Sequence, residues 1–123
     1  MVDEIFFIEN DEGMRKTAED ILELKLDGDT EVYTFEDPER ALEEVKLEAP
    51  DVVVADYLLN GETTGLDVAA SLNGETDAII YTGYERSFIE TDYQKGGFDE
   101  VGALYVQKGN GYSDLAREIE KLR

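Results

Sequence analysis

The sequence predicts an α/β fold: a single doubly wound, five-stranded parallel sheet with helices on both faces. Short, solid apolar runs recur along its 123 residues, and amphipathic segments with helical spacing lie between them. No stretch reads as a linker, an internal repeat or a low-complexity tract, so residues 1–123 are expected to form one domain.

The elements follow in order. Ile5-Phe-Phe-Ile8 is the first apolar run, of the kind that strands buried on both faces show. After an acidic turn at 11–12, Met14, Ala18, Ile21 and Leu22 fall on one helical face. Glu31 to Phe35 is more mixed and reads as an edge strand. Asp37-Pro38 places an N-cap before a proline at the first helical position, and Ala41, Leu42, Val45 and Ala49 recur behind it until Pro50 stops the helix. Val52-Val-Val-Ala55 is the next buried strand. Thr64, three residues before Asp67, caps a helix that carries Leu66, Ala69 and Ala70. Ala78-Ile-Ile-Tyr81 and Ala103-Leu-Tyr-Val106 are the last two apolar runs, read as buried strands like the first. Between them, 84–101 is the least regular stretch, broken by Gly96-Gly97. Tyr112, Leu115, Ala116, Ile119 and Leu122 form a final amphipathic helix. Right-handed crossovers close such an alternation into a doubly wound sheet.

Composition removes several function classes. The chain has no Cys and no His, which excludes disulfides and thiol catalysis and leaves no basis for ordinary zinc sites or Ser-His triads. No run of 18 apolar residues and no charged-then-apolar leader is present, so neither a membrane span nor secretion is expected, and the cytoplasm is. Asp and Glu number 31 against 11 Lys and Arg, a net charge of -20. Small domains ordinarily carry about 2 to 8 charges net. Such a surface repels nucleic-acid phosphates, so no nucleic-acid partner is expected. The acidity fits adaptation to high intracellular salt, where the Debye length falls to about 3 Å near 1 M. An acidic surface made for a basic partner is the other reading.

Polar residues follow the apolar runs at one edge: Glu9 and Asn10 after the first, Asp56 after 52–55, Thr82 with Gly83 after 78–81, and Gln107-Lys108 after 103–106. In open parallel sheets ligands bind outside the carboxyl ends of the strands. Taken singly, Thr82 is an ordinary strand-end residue, Lys108 a surface lysine and Tyr105 a core aromatic. Asp56, directly after four apolar residues, is the least ordinary, because a buried carboxylate is costly unless the strand opens onto a site. The acids at 31, 43, 44 and 48 read as solvated surface.

Ile8-Glu-Asn10 with Met14-Arg15, Val54-Ala-Asp56, Gly65-Leu66, Tyr81-Thr-Gly83 and Tyr105-Val-Gln-Lys108 occur in the order and on the elements that resemble a response-regulator receiver domain of two-component signalling, over essentially the whole length. The closest character is that of the chemotaxis regulators, and the acidity points to a halophilic archaeal source. The resemblance implies a flavodoxin-like sheet of strand order 2-1-3-4-5. It implies that Asp56 accepts phosphate from the phosphohistidine of a sensor histidine kinase. It implies Mg²⁺ held by Glu9, Asn10, Asp56 and the Leu58 backbone carbonyl. Lys108 would pair with a phosphoryl oxygen, Thr82 would donate its hydroxyl to another, and Tyr105 would change rotamer in response. Catalysis would extend no further than self-phosphorylation and autodephosphorylation at Asp56. A downstream protein would dock on the 84–112 face.

The chain departs from the family in three places. The acidic pair is usually two Asp, whereas here it is Glu9-Asn10, one negative charge fewer. Asp11 is close by, but its spacing to Met14-Arg15 disfavours it as the aligned residue. Gly109 replaces the usual proline after the lysine, so a trans bond is expected there, since a cis bond without proline costs about 2.5–4 kcal/mol. The loop from Tyr57 to Gly65 lacks a common proline. Tyr84, Phe88, Ile89, Tyr93 and Phe98 either serve a partner or pack the last helices, and packing is preferred. The Glu9-Asn10 pair leaves a second function open, a pseudo-receiver that binds partners without being phosphorylated. A small phosphotransfer enzyme acting on a diffusible substrate finds no Gly-rich phosphate loop to support it.

Overall fold

A computed structural model describes residues 4–26, 28–59, 61–72, 74, 76–109 and 111–122. Five parallel strands, β1 (Glu4–Ile8), β2 (Glu31–Phe35), β3 (Val52–Ala55), β4 (Asp77–Thr82) and β5 (Ala103–Gln107), form one sheet in the order β2-β1-β3-β4-β5. The helices are α1 (Glu12–Lys25), α2 (Pro38–Glu48), α3 (Gly65–Ala70), α4 (Arg86–Asp92), α5 (Phe98–Val101) and α6 (Ser113–Lys121).

Alternation along the strands sorts the core onto two faces. Ile5, Phe7, Val52, Val54, Ile79 and Tyr81 point to one face, where they meet Ala18 and Leu22 of α1 and Leu115 and Ile119 of α6. Phe6, Ile8, Val53 and Ala55 point to the other, against Ala41 of α2 and Val68 of α3. Ile80 and Ala103 continue that second face beneath Ile89 and Phe98. Each fully buried Leu, Ile or Phe contributes about 1.5–3 kcal/mol.

Local chemistry fixes the helix starts. Asp11 caps α1 by accepting from the Met14 N–H, and Asp37 caps α2 by accepting from Glu39 ahead of Pro38. Thr64 and Asp67 form a reciprocal capping box at α3. The α2 helix ends at Ala49, in the left-handed region at φ 48, directly before Pro50. No cis peptide occurs among the described residues, and the Lys108–Gly109 bond is trans, as expected without proline.

Three expectations are refined. The apolar run of β5 reads as a strand buried on both faces like β1 and β3, whereas β5 is the second edge of the sheet, as the strand order 2-1-3-4-5 implied, with Leu104 exposed and Tyr105 half-buried. The 84–101 stretch forms two short helices flanking the glycine pair. Of its aromatic and aliphatic residues Ile89, Tyr93 and Phe98 are buried, while Tyr84 and Phe88 stack on each other at the surface. Met14, placed on the apolar face of α1, is exposed.

Candidate functional site

The carboxyl ends of the strands deliver the polar residues to one place. Glu9 follows β1, Asp56 follows β3, Thr82 ends β4, and Lys108 follows β5. The Thr82 carbonyl accepts from the Lys108 N–H at 2.7 Å, which carries the β4–β5 ladder one step beyond β5 and aims the lysine over the sheet edge. The Lys108 Nζ reaches Asp56 Oδ2 at 2.7 Å and Glu9 Oε1 at 3.5 Å. One ammonium therefore joins the ends of β1, β3 and β5.

This ion pair is partly sheltered. The Lys108 side chain is 23% exposed, that of Asp56 20% and that of Glu9 6%. Burial pulls the Lys108 ammonium pKa down, but the Asp56 and Glu9 carboxylates outweigh it and hold the pKa above the ordinary value. The ammonium also lies 5.6 Å from the centre of the Tyr81 ring, a cation–π contact. Tyr81 is fixed in turn by donating to the Gly111 carbonyl at 2.6 Å.

Asp56 is held from the backbone side as well. Its Oδ1 accepts from the Tyr57 N–H at 2.7 Å. Behind it, the Gly65 N–H donates to the Tyr57 carbonyl at 2.8 Å, and Leu58 bridges Thr64. A Cβ on Gly65 would fall 2.3 Å from the Asp56 carbonyl oxygen, so α3 approaches the loop this closely only because residue 65 lacks one.

Of the remaining predicted residues, Thr82 is fully buried, and its Oγ1 accepts from the Tyr84 N–H at 3.3 Å. Tyr105 donates to the Tyr84 carbonyl at 2.7 Å, and its ring packs edge-on against Phe98. Thr82 and Tyr105 thus hold opposite backbone groups of one residue, Tyr84. Asn10 is exposed next to Glu9. Asp11 turns away to cap α1, and Arg15 donates to the Glu9 carbonyl at 2.9 Å, holding the turn between β1 and α1. The 84–112 face is described except for position 110.

Two features were missed in the sequence. Tyr57 is 1% exposed and donates its hydroxyl to Asp92 Oδ2, at the end of α4, at 2.6 Å. Tyr93 runs the other way, from just beyond α4 to Asp67 Oδ1 at 2.9 Å. Burial, and then these carboxylates, push both phenols up, Tyr93 to about 12. The only signal was an aromatic directly after Asp56 and another following an acid, which pattern alone cannot pair across 35 residues.

Among the described residues no three Asp, Glu, His or Cys side chains converge as a metal cluster of their own. What converges is a pair of carboxylates, from Glu9 and Asp56. That is an all-oxygen donor set with few protein ligands, which suits a hard cation that keeps part of its water shell.

Residues 5–119 match the response regulator receiver domain family. No curated protein matches the sequence. Similar solved structures include a LuxR-family DNA-binding response regulator from Staphylococcus aureus, at 22% identity, 99% and 98% coverage of the two chains and a TM-score of 0.81. Chemotaxis protein CheY4 from Vibrio cholerae aligns over 100% of both chains at 16% identity, with a TM-score of 0.79. The BeF3-activated N-terminal receiver domain of RstA from Klebsiella pneumoniae shares 24% identity over 98% of each chain, with a TM-score of 0.76. At these identities the likeness is one of fold. The sequence match defines the class, a receiver domain of two-component signalling. The chain belongs to the response regulator receiver domain family.

Proposed function

We propose that residues 1–123 act as one receiver that takes a phosphoryl group on Asp56 from the phosphohistidine of a sensor histidine kinase. The observation that carries this reading is the Lys108 ammonium placed between Asp56 Oδ2 and Glu9 Oε1, at 2.7 and 3.5 Å. In the transfer an Asp56 carboxylate oxygen attacks phosphorus and the phosphorus–nitrogen bond breaks, its electron pair staying on the imidazole of the donor. Lys108 leaves the Asp56 carboxylate to pair with a phosphoryl oxygen, as a compact, strongly hydrated cation can. Thr82 rotates from accepting the Tyr84 N–H to donating to a second phosphoryl oxygen. The Tyr84 backbone and the Tyr105 hydroxyl bonded to it then shift together, which changes the 84–112 face offered to a downstream protein.

Glu9, Asn10 and Asp56, with the Leu58 carbonyl, are the residues that would hold Mg²⁺, and the oxygen-only donor set fits it. Bound there, the ion supplies neutralisation of phosphoryl charge during transfer. Chemistry stays confined to Asp56, so the domain is a switch rather than an enzyme with a diffusible substrate. The reading places it in the cytoplasm with its kinase, with no nucleic-acid partner for a chain of net charge -20. Among the described residues no helix is long and apolar enough to cross a membrane.

A second reading, a pseudo-receiver that is not phosphorylated, is favoured by one observation: Asn10 stands where the family has an acid, so one metal-binding charge is absent. One experiment separates the two. The chain is incubated with Mg²⁺ and acetyl phosphate in high salt and its intact mass measured, with Asp56→Asn as control. A phosphate-sized gain that Asp56→Asn abolishes is expected. No gain in a folded protein establishes the pseudo-receiver instead.

A further inference from the structure

At the β2 edge, away from Asp56, the side chains of Phe6, Tyr33 and Phe35 and the carboxylates of Glu4, Glu44 and Glu48 line a cavity of about 160 Å³. We propose that this cavity binds a methylated ammonium group, through the accessible rings of Tyr33 and Phe35 over the buried Phe6 ring and through the carboxylates of α2 and β1 that line it with them.

Ring geometry favours a compact, rounded cation. Phe6 and Tyr33 meet at 86° with centroids 6.0 Å apart, and Phe6 and Phe35 at 53° and 4.8 Å. Rings at such angles line a corner. They do not form the parallel walls between which a planar guanidinium stacks. The faces of aromatic rings attract cations, and methylated ammonium groups are held well because little hydration is lost on entering an apolar floor. A bare ammonium is strongly hydrated and is disfavoured there.

Charge favours a cation of any kind. Glu44 and Glu48 lie one helical turn apart on α2, and among the described residues no ion pair involves either. Tyr33 donates its hydroxyl to Glu31, which feeds electron density into its ring. That hydrogen bond first, with slight burial and the nearby carboxylates of Glu31, Glu4 and Glu48 after it, pushes the Tyr33 phenol up to about 12. Glu4 and Glu48 thus lie near the Tyr33 hydroxyl as well as lining the cavity. Tyr33 is 42% exposed and Phe35 half-buried, so a ligand reaches both from solvent. This edge of the sheet has no neighbouring strand, because β2 is terminal.

The test titrates the full chain with tetramethylammonium chloride, replacing sodium chloride at constant ionic strength, and follows the Tyr33 and Phe35 ring resonances. Saturable shifts are expected, with ammonium chloride giving none. Tyr33→Ala should weaken binding at least about ten-fold. Because that change removes a strand residue, Glu44→Gln with Glu48→Gln is the second variant. It keeps every ring and should weaken binding several-fold. Asp56→Asn should bind like the parent, which separates this site from the phosphoacceptor chemistry. A linear response, an equal response to ammonium, or indifference to the double variant would overturn the proposal.

Discussion

Gly65 occupies a position with no room for a methyl group. A Cβ there would lie 2.3 Å from the Asp56 carbonyl oxygen and 3.1 Å from Ile80 Cδ1, backbone on one side and a buried core residue on the other. Gly65→Ala should therefore push α3 off the loop that carries Asp56. The expected cost is about 1–3 kcal/mol, the usual range for overpacking, with the proposed phosphorylation of Asp56 slowed as well. Chemical unfolding together with the acetyl-phosphate mass assay reads both effects, and a neutral variant would show that the loop simply gives way. Asn10 is a residue-scale question of charge. Restoring the second acid with Asn10→Asp should tighten Mg²⁺ binding roughly ten-fold or more, within the ceiling of about 4 kcal/mol for unit charges 4 Å apart at an effective dielectric of 20. Equal affinity by calorimetric titration would mean that Asn10 is no determinant of the proposed metal site. The positions of Asp56, Thr82 and Lys108 were legible because each stands at the carboxyl end of a strand read from an apolar run, and parallel strands bring such positions to one edge. The use of Asp11 as a helix cap was not, since its spacing to Met14-Arg15 argued only against its being the aligned acid and did not show that it accepts the Met14 N–H.

The α4 helix is tied down by reciprocal bonds. Tyr57, whose N–H holds Asp56 Oδ1, reaches Asp92 with its hydroxyl, and Tyr93 reaches back to Asp67, the residue that also caps α3. Burial raises the Asp67 carboxyl pKa, but the Thr64 N–H, the Tyr93 hydroxyl and Lys95 prevail and hold it below the ordinary value. Since one residue contacts both Asp56 and α4, the position of that helix should depend on Tyr57 as well as on Tyr84 and Tyr105. Tyr57→Phe removes a hydrogen bond to a charged partner, worth about 1.5–3 kcal/mol, the lower end applying because Asp92 is exposed and rehydrates. Amide exchange across 86–92 should quicken in Tyr57→Phe while that of β1 and β3 stays unchanged. Uniform quickening would mean that the bond supports the whole fold rather than α4. Elements with their own punctuation were readable in advance: Asp37-Pro38 and Thr64 with Asp67 set helix starts that the structure reproduces to the residue. The edge position of β5 followed from the strand order that the family resemblance implied, but the partial exposure of its apolar run and the division of 84–101 into two short helices were not readable. Both depend on tertiary packing, such as where Ile89 and Phe98 find core, which local pattern does not carry.

At the scale of the whole molecule, charge dominates. Tyrosines set the alkaline limit. Burial holds the Tyr81 and Tyr93 phenols at about 12, whereas unfolded tyrosines ionise near 10. A raised folded pKa means that this stabilisation is complete below about pH 10 and is lost as pH climbs from there towards 12. Unfolding followed by tyrosinate absorbance should accordingly show steeply falling stability across that window, and a flat profile would show these phenols to be solvated in the folded state. Salt acts over a broader range. A net charge of -20 on 123 residues repels itself in the compact state more than in the expanded one. Screening shortens from about 10 Å at 0.1 M to about 3 Å at 1 M, so sodium chloride should relieve that repulsion over the concentrations where adaptation to high salt would matter. The described ion pairs work in the opposite direction, since salt weakens them too, but most lie on the surface, where each contributes about 0–1 kcal/mol. Repulsion among the excess acids should therefore win. The thermal midpoint is expected to rise by several degrees between 0.1 and about 2 M sodium chloride, at roughly 4 °C per kcal/mol for a domain of this size. Sucrose at matched osmolality is the control, because it favours compactness without screening charge. A rise equal to that in sucrose would assign the stabilisation to exclusion of the cosolute, and a midpoint indifferent to salt would mean that the carboxylates are spaced well enough for water alone to screen them.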